Sequence, residues 1–205
     1  MYLAIKQKMK EPQFFTLNDG RGSMRLVPCF RPEEWDEFKI GKDENVPKGK
    51  LCFIASGGKK FWDVISTSGV LYVFSEKVVN MLQNNNITGC KFYPITIKEH
   101  EDLKYYLLTI TGKCGSLDDS KAELIETLSG PATKIQNTNI IIPKQHFSVM
   151  KGKSVRLETW DGCDFFLVEN TLHTLVTERV KDLFQKHRIN NVYLENLKDF
   201  TWFLE

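Results

Sequence analysis

Residues 75–95 return without a gap 102 residues later as residues 177–197, and this recurrence restricts what the chain can fold into more than any other feature. Four of the 21 aligned positions are identical, pairing Glu76 with Glu178, Val78 with Val180, Gln83 with Gln185 and Ile87 with Ile189. The weight comes from the conservative pairs around them. Ser75 and Thr177 keep a capping hydroxyl, Lys77 and Arg179 keep a cation, and Met81 and Leu183 keep an apolar side chain on one helical face. One pair breaks the pattern: Val79 is placed to staple the first helix onto Phe74, whereas Lys181 stands at its counterpart.

Around each capping residue the period of apolar residues changes from two to about 3.6. Strands are expected at residues 51–55, 62–66 and 70–74, with turns at Gly57-Gly58 and Ser68-Gly69. A helix follows Ser75, carries Val78, Met81 and Leu82 on one face, and ends within Asn84-Asn85-Asn86. Gly89 then leads into a strand over 90–97. Downstream the order recurs: strands at 165–168 and 172–176, a helix opened by Thr177-Glu178, and a strand at 192–194. Between the two units the reading expects a strand at 105–111, a turn region at 112–120, a short helix at 121–128, and strands near Ile140 and Val155. Residues 1–5 read as a further strand and residues 28–50 as a long loop with one helical turn at 32–38.

The expected fold is therefore α+β, with a mixed or mostly antiparallel sheet and two similar strand-strand-helix-strand units at about 51–112 and 139–205. Each unit alone has too little core, so residues 1–205 are expected to form a single globular domain in which the units share a sheet or pack closely. Composition agrees: 41% of residues are apolar and 14 are Phe, more than a disordered chain carries.

Twenty-eight basic side chains face 26 acidic ones, for a net charge of +2. Residues 1–112 hold 16 basic and 13 acidic side chains and residues 113–205 hold 12 and 13, so neither half is polarised toward a phosphate backbone. Nucleic acid is not expected as a partner. Apolar runs such as 70–74 and 140–142 fall far short of the roughly 20 residues that cross a bilayer, and lysines interrupt the N-terminus where a secretory leader needs its apolar stretch. The expectation is a cytoplasmic protein with no membrane contact.

Five cysteines at irregular spacing contain no Cys-x-x-Cys pair, so they are expected to be free thiols. None of His100, His146, His173 and His187 stands at metal-ligand spacing, and His187 suits a helix C-terminus. Cys163 lies in Trp160-Asp161-Gly162-Cys163-Asp164, where neighbouring carboxylates disfavour a thiolate. Ser56-Gly57-Gly58-Lys59-Lys60 lacks P-loop spacing, Asp118-Asp119 lacks further oxygen ligands, and no Gly-x-Ser-x-Gly elbow occurs. No catalytic residue, metal site or cofactor is assigned.

Trp62-Asp63-Val64, then Ser75-Glu76-Lys77-Val78, then residues 87–95 and Tyr105-Tyr106-Leu107-Leu108 follow in an order that resembles a bacterial polymorphic-toxin immunity family. The family is immunity protein family eleven, long catalogued as a domain of unknown function. Leu117-Asp118-Asp119-Ser120 and Val176-Thr177-Glu178-Arg179-Val180 continue the resemblance, which spans about residues 50–197. Family members often carry glycine at the position of Asn191, which asparagine replaces with its own tolerance of the left-handed conformation. The resemblance implies a non-enzymatic immunity protein that binds a cognate protein toxin and neutralises it by occlusion.

For the toxin contact, the segment Arg31, Glu33, Glu34, Trp35, Asp36 and Glu37 is the candidate, because an aromatic and an arginine framed by charges have the composition of an interface hot spot. Two other readings stand beside this one: an enzyme with a Cys/His site assembled in space, and a general protein-interaction scaffold. Oligomeric state is not legible.

Overall fold

The computed structural model describes residues 11–20, 23–29, 51–58, 60–67, 71–129, 133–134, 141–142, 146–171 and 173–204. Its strands are β1 (Phe14–Asp19), β2 (Arg25–Pro28), β3 (Leu51–Gly57), β4 (Val64–Ser66) and β5 (Tyr72–Ser75), followed by helix α1 (Glu76–Asn84). Next come β6 (Cys90–Ile97), β7 (Tyr105–Ile110), β8 (Gly112–Cys114), β9 (Glu123–Ser129), β10 (Thr133–Lys134), β11 (Ile141–Ile142) and β12 (His146–Lys151). A 3-10 turn (Leu157–Thr159), β13 (Phe165–Val168), β14 (Thr174–Thr177), helix α2 (Glu178–Lys186), β15 (Val192–Asn196) and β16 (Thr201–Leu204) complete the order.

The strands form two larger sheets. One runs β2-β3-β6-β7-β5-β4 and the other β15-β1-β14-β13-β8, with small sheets β16-β12-β9 and β10-β11 beside them. Pairing is antiparallel except where β3 meets β6 and β8 meets β13. The fold is mixed α+β, as expected.

In the first large sheet β7 lies between β5 and β6, and in the second β1 lies between β14 and β15. Alternation along these strands sends neighbouring side chains to different cores. Phe15 and Leu17 of β1 enter a central cluster with Leu108 and Ile110 of β7, while Phe14 enters an outer cluster with Phe166 and Leu175. On the first sheet Phe74 and Val64 face the central cluster, and Val73, Ile65 and Leu107 face a second outer cluster. Both helices deliver their apolar faces to the central cluster, Val78, Val79, Met81 and Leu82 from α1 and Val180 and Phe184 from α2. Phe74, fully buried, joins the halves: its ring meets Phe184 edge-on at 6.2 Å and Phe165 at 6.5 Å. Such ring pairs add about 0.5–1.5 kcal/mol beyond area burial.

The two helices begin and end alike. Ser75 and Thr177 stand in extended conformation at the N-caps, and Asn85 and His187 at the C-caps. Asn86 and Arg188 take φ of 50° and 49° just beyond, and Gly89 and Asn191 take 78° and 61°. Ile87 N–H donates to Leu82 O, and Ile189 N–H to Phe184 O. Where Val79 staples α1, Lys181 instead lays its ammonium over the ring of Phe15 at 5.0 Å from the centroid.

Several expectations are corrected. Residues 123–129 form β9, not a helix over 121–128: the chain turns at Asp119, whose carbonyl accepts from Ala122 N–H, and then pairs with β12 from Glu123 onward. Ladder pairing has overridden the local helical spacing of Leu124, Ile125 and Leu128. The 112–120 turn region contains β8, held in parallel register by Phe166↔Gly112. Val155 is buried but lies between the isolated Ser154↔Asp118 bridge and the 3-10 turn, outside any strand. Pro28 ends β2 rather than opening a loop. The proposed units do not share a sheet, and neither sheet is confined to one of them, because β2 joins from before residue 51 and β1 and β8 from before residue 139. The expected strand at 1–5, the Ser68-Gly69 turn, the helical turn at 32–38 and the strand residue Ile140 lie outside the described residues.

Gly89 and Gly112 give room for the crossing of residues 163–165, since a Cβ at either would collide with Phe165 O and crowd Cys163 Cβ. At Gly89 the left-handed φ adds backbone strain for any other side chain. Gly89→Ala is expected to lose roughly 2–4 kcal/mol of unfolding free energy in urea titrations, by strain plus overpacking. Gly57→Ala, where an added Cβ meets nothing within 4 Å, is expected to stay within about 0.5 kcal/mol of the parent.

Candidate functional site

Two carboxylates, the buried Asp164 and the partly buried Asp63, gather hydrogen bonds from both helices. Asp63 stands just before β4, and its Oδ1 accepts from Ser75 Oγ at 2.9 Å. Its Oδ2 accepts from Lys77 Nζ at 2.8 Å and from the backbone N–H of Asn190 at 3.0 Å, across the molecule. Asp164 stands just before β13 and does the same in the other direction. Thr177 Oγ1 donates to its Oδ1 at 2.9 Å, and Arg179 Nη1 and the backbone N–H of Thr88 donate to its Oδ2 at 3.1 Å each. Each carboxylate thus binds the N-cap hydroxyl and second-residue cation of one helix, and the helix-to-strand turn that follows the other.

The side chains of Asp63 and Asp164 are 11% and 10% exposed, so these are not freely solvated ion pairs. The cations extend the contact, Lys77 Nζ to Arg188 O at 3.5 Å and Arg179 Nη2 to Asn85 O. Neither cap hydroxyl accepts from its own helix. Both donate to the aspartate, and the first helical N–H groups go elsewhere: Glu76 N–H to Lys104 O and Glu178 N–H to Gln13 O. Burial opposes ionisation of Asp63, but the hydrogen bonds from Lys77, Asn190 and Ser75 outweigh it and hold its carboxyl below the ordinary value. This geometry suits holding the two helices in place relative to each other.

The thiols of Cys163, Cys90 and Cys114 are all held toward the protonated form. Burial raises the Cys163 thiol, followed by its hydrogen bond and charge repulsion with Asp161. Burial also pushes Cys90 up to about 12 and raises Cys114. These are the opposite of activated nucleophiles. Trp160 is half-buried against Phe14 at 5.0 Å and donates Nε1–H to Cys163 O, while Asp161 and Gly162 between them are exposed. His100 packs edge-on to Phe61, His173 to Phe200, and His187 occupies the α2 C-cap. Among the described residues no group of three or more His, Cys, Asp or Glu side chains could hold a metal ion. Nor is any helix long and apolar enough to cross a membrane. Asp118 forms a turn, its Oδ1 accepting from Ser120 N–H at 2.9 Å, and Gly58 carries the positive φ of the Gly57-Gly58 turn.

The surface offers two other features. A groove of about 380 Å³ runs between residues 11–14, 118–121, 153–158 and 196–198. Lys121, Lys153, Arg156 and Lys198 line it against Glu11, Asp118 and Glu158. Leu157 lines it too and is 49% exposed. Nearby in sequence, Leu124 and Ile125 on the edge strand β9 are 59% and 53% exposed, which presents apolar side chains on both faces of that edge. The sequence-based contact residues Arg31, Glu33, Glu34, Trp35, Asp36 and Glu37 lie outside the described residues. Neither the aspartate pair nor the groove was singled out from sequence, although Asp63 lies within the Trp62-Asp63-Val64 motif.

Compared with protein-family models and with curated proteins, the chain matches none.

Asp63→Asn and Asp164→Asn are each expected to cost about 1–3 kcal/mol, the range for hydrogen bonds to a buried charge. The lowered carboxyl of Asp63 binds its proton less readily in the folded state than in the unfolded one. Its contribution is therefore present above the unfolded value of about 4 and is lost as pH falls through the folded value. Urea titrations between pH 7 and 3 are expected to show an acid loss of stability that is smaller in Asp63→Asn than in the parent.

Proposed function

We propose that this protein is an immunity protein that binds a cognate bacterial toxin and neutralises it by covering the toxin's working surface. The ordered motifs from Trp62 to Val180 support the reading, and one structural observation carries it further. The polar residues of those motifs, Asp63, Ser75, Lys77, Thr177 and Arg179, are engaged in holding helices and halves together. That is the work of a scaffold, and partner contact is left to the surface.

The scaffold itself is proposed to consist of two related strand-strand-helix-strand units. The shared caps, the paired left-handed residues after each helix and the reciprocal aspartates favour this reading. On it, β1 is the counterpart of β7, each filling the gap between the helix-flanking strands of its sheet. The protein works in the cytoplasm of the toxin-producing cell, without nucleic acid or membrane.

Contacts are assigned to two places: the 31–37 segment with Arg31 and Trp35, and the groove rim with Leu157 beside the exposed apolar edge of β9. Apolar side chains framed by mixed charge have the composition of a specific protein interface.

Co-expression with the toxin domain encoded beside this chain is expected to restore growth, and the two proteins are expected to co-purify. Equal killing with and without the chain, with no complex in a pull-down, would refute the reading. Within a working pair, Leu124→Asp combined with Leu157→Asp is expected to weaken binding at least about tenfold while circular dichroism and urea midpoint stay near parental values. Unchanged affinity in that variant removes the groove rim from the interface, and unchanged affinity in Trp35→Ala removes Trp35.

A further inference from the structure

Cys29 and Cys52 face each other at the end of the β2–β3 pair. The antiparallel register runs Val27↔Ile54 and Pro28↔Phe53, which makes Cys29 and Cys52 the next opposed residues. The backbone agrees, since Cys29 N–H donates to Cys52 O at 2.9 Å. Directly opposed residues of an antiparallel pair carry their side chains on the same face, with Cβ atoms about 4.5–5.5 Å apart and, at a hydrogen-bonded position, Cα atoms about 5.5 Å apart. A disulfide needs Cα atoms about 4.4–6.8 Å apart and Cβ atoms about 3.5–4.5 Å apart, so a slight approach of the two side chains suffices. The face is accessible: Val27 and Ile54, two residues away on each strand and on the same side, are 37% and 44% exposed, and Cys29 is itself exposed.

We infer that Cys29 and Cys52 form a reversible dithiol–disulfide pair that reacts with low-molecular-weight disulfides such as oxidised glutathione. Cys29, the more exposed thiol, attacks first as the thiolate. A new sulfur–sulfur bond forms to one glutathione, the bond within the oxidant breaks, and the other glutathione leaves as a thiolate and takes up a proton. Cys52, as its thiolate, then attacks the Cys29 sulfur, forms the intramolecular bond and releases the second glutathione, which is protonated in turn. Two protein thiols are oxidised and one oxidant is reduced to two thiols. The bond joins the chain on either side of residues 30–51.

In the resting dithiol, partial desolvation of the exposed Cys29 and then the hydrogen bond and charge interaction with Cys52 push its thiol up to about 11, against a lowering by Lys98. Neutral oxidation is therefore slow, and the rate should follow the thiolate fraction, rising about tenfold per pH unit between pH 7 and 9.

The test uses the full reduced chain incubated with oxidised glutathione. The expected product loses two of its five thiols and about 2 Da of mass, and peptide mapping links Cys29 to Cys52. Dithiothreitol restores all thiols. Cys52→Ser is expected to trap a glutathione adduct on Cys29, and Cys29→Ser to give neither adduct nor link at Cys52 within the same time. A stable glutathione adduct on wild-type Cys29, a link through Cys90, Cys114 or Cys163, or a rate independent of pH between 7 and 9 would overturn the inference. None of these readouts involves a toxin, so they stand apart from the test of immunity function.

Discussion

Two carboxylates largely withdrawn from water, Asp63 and Asp164, tie the two helices of this molecule to each other's following turns. A buried aspartate with one partner missing is a large penalty, because the remaining charge cannot be rehydrated. Asp63 and Asp164 avoid it only while the turn at the far helix presents its N–H, at Asn190 and Thr88 respectively. The start of each helix is thereby tied to the turn that follows the other. The central cluster between the sheets supplies most of the apolar burial, but it is non-directional, and the aspartates fix the relative placement of α1 and α2 that lets Phe74, Phe165 and Phe184 meet.

That arrangement explains why hydroxyls at ideal capping positions do not cap. Ser75 and Thr177 serve the aspartates, and the first helical donors are satisfied by carbonyls of neighbouring loops, Lys104 O and Gln13 O. A carboxylate close to a helix N-terminus also meets the favourable end of the helix dipole. Each aspartate thus binds the side chains that open its helix and adds a long-range tie that a local cap lacks.

The helices and their flanking strands were legible because period and punctuation change together there: α1, α2, β6 and β13 lie close to where the spacing of apolar residues puts them. Asn191 adopts the left-handed conformation that its residue type tolerates. The aspartate pair was hidden by a single residue. Asp164 follows Asp63 by 101 positions whereas Thr177 follows Ser75 by 102, so an ungapped comparison sets the two carboxylates out of step. β1 was also missed, although Phe14-Phe15-Thr16-Leu17 before Asn18-Asp19-Gly20 has the aromatic and β-branched content of a strand entering a turn. Its partners lie some 160–180 residues away, and pairing at that distance leaves no local mark. The 121–128 segment failed for the complementary reason, its local spacing being helical while its fate was set by β12.

β1 also sets an order of events for a chain made from its N-terminus. The strands β3 to β7 can close around α1 once residue 110 is available, but β1 must wait for β14 and β15, whose register partners reach to Asn196. A strand made some 160–180 residues ahead of its partners can pair only when they have followed it. Until then Phe14, Phe15 and Leu17, all of which end up buried, have no sheet to enter. At about 5–20 residues per second, that interval lasts on the order of ten seconds or more, during which the apolar segment of β1 is open to chaperones and to other nascent chains.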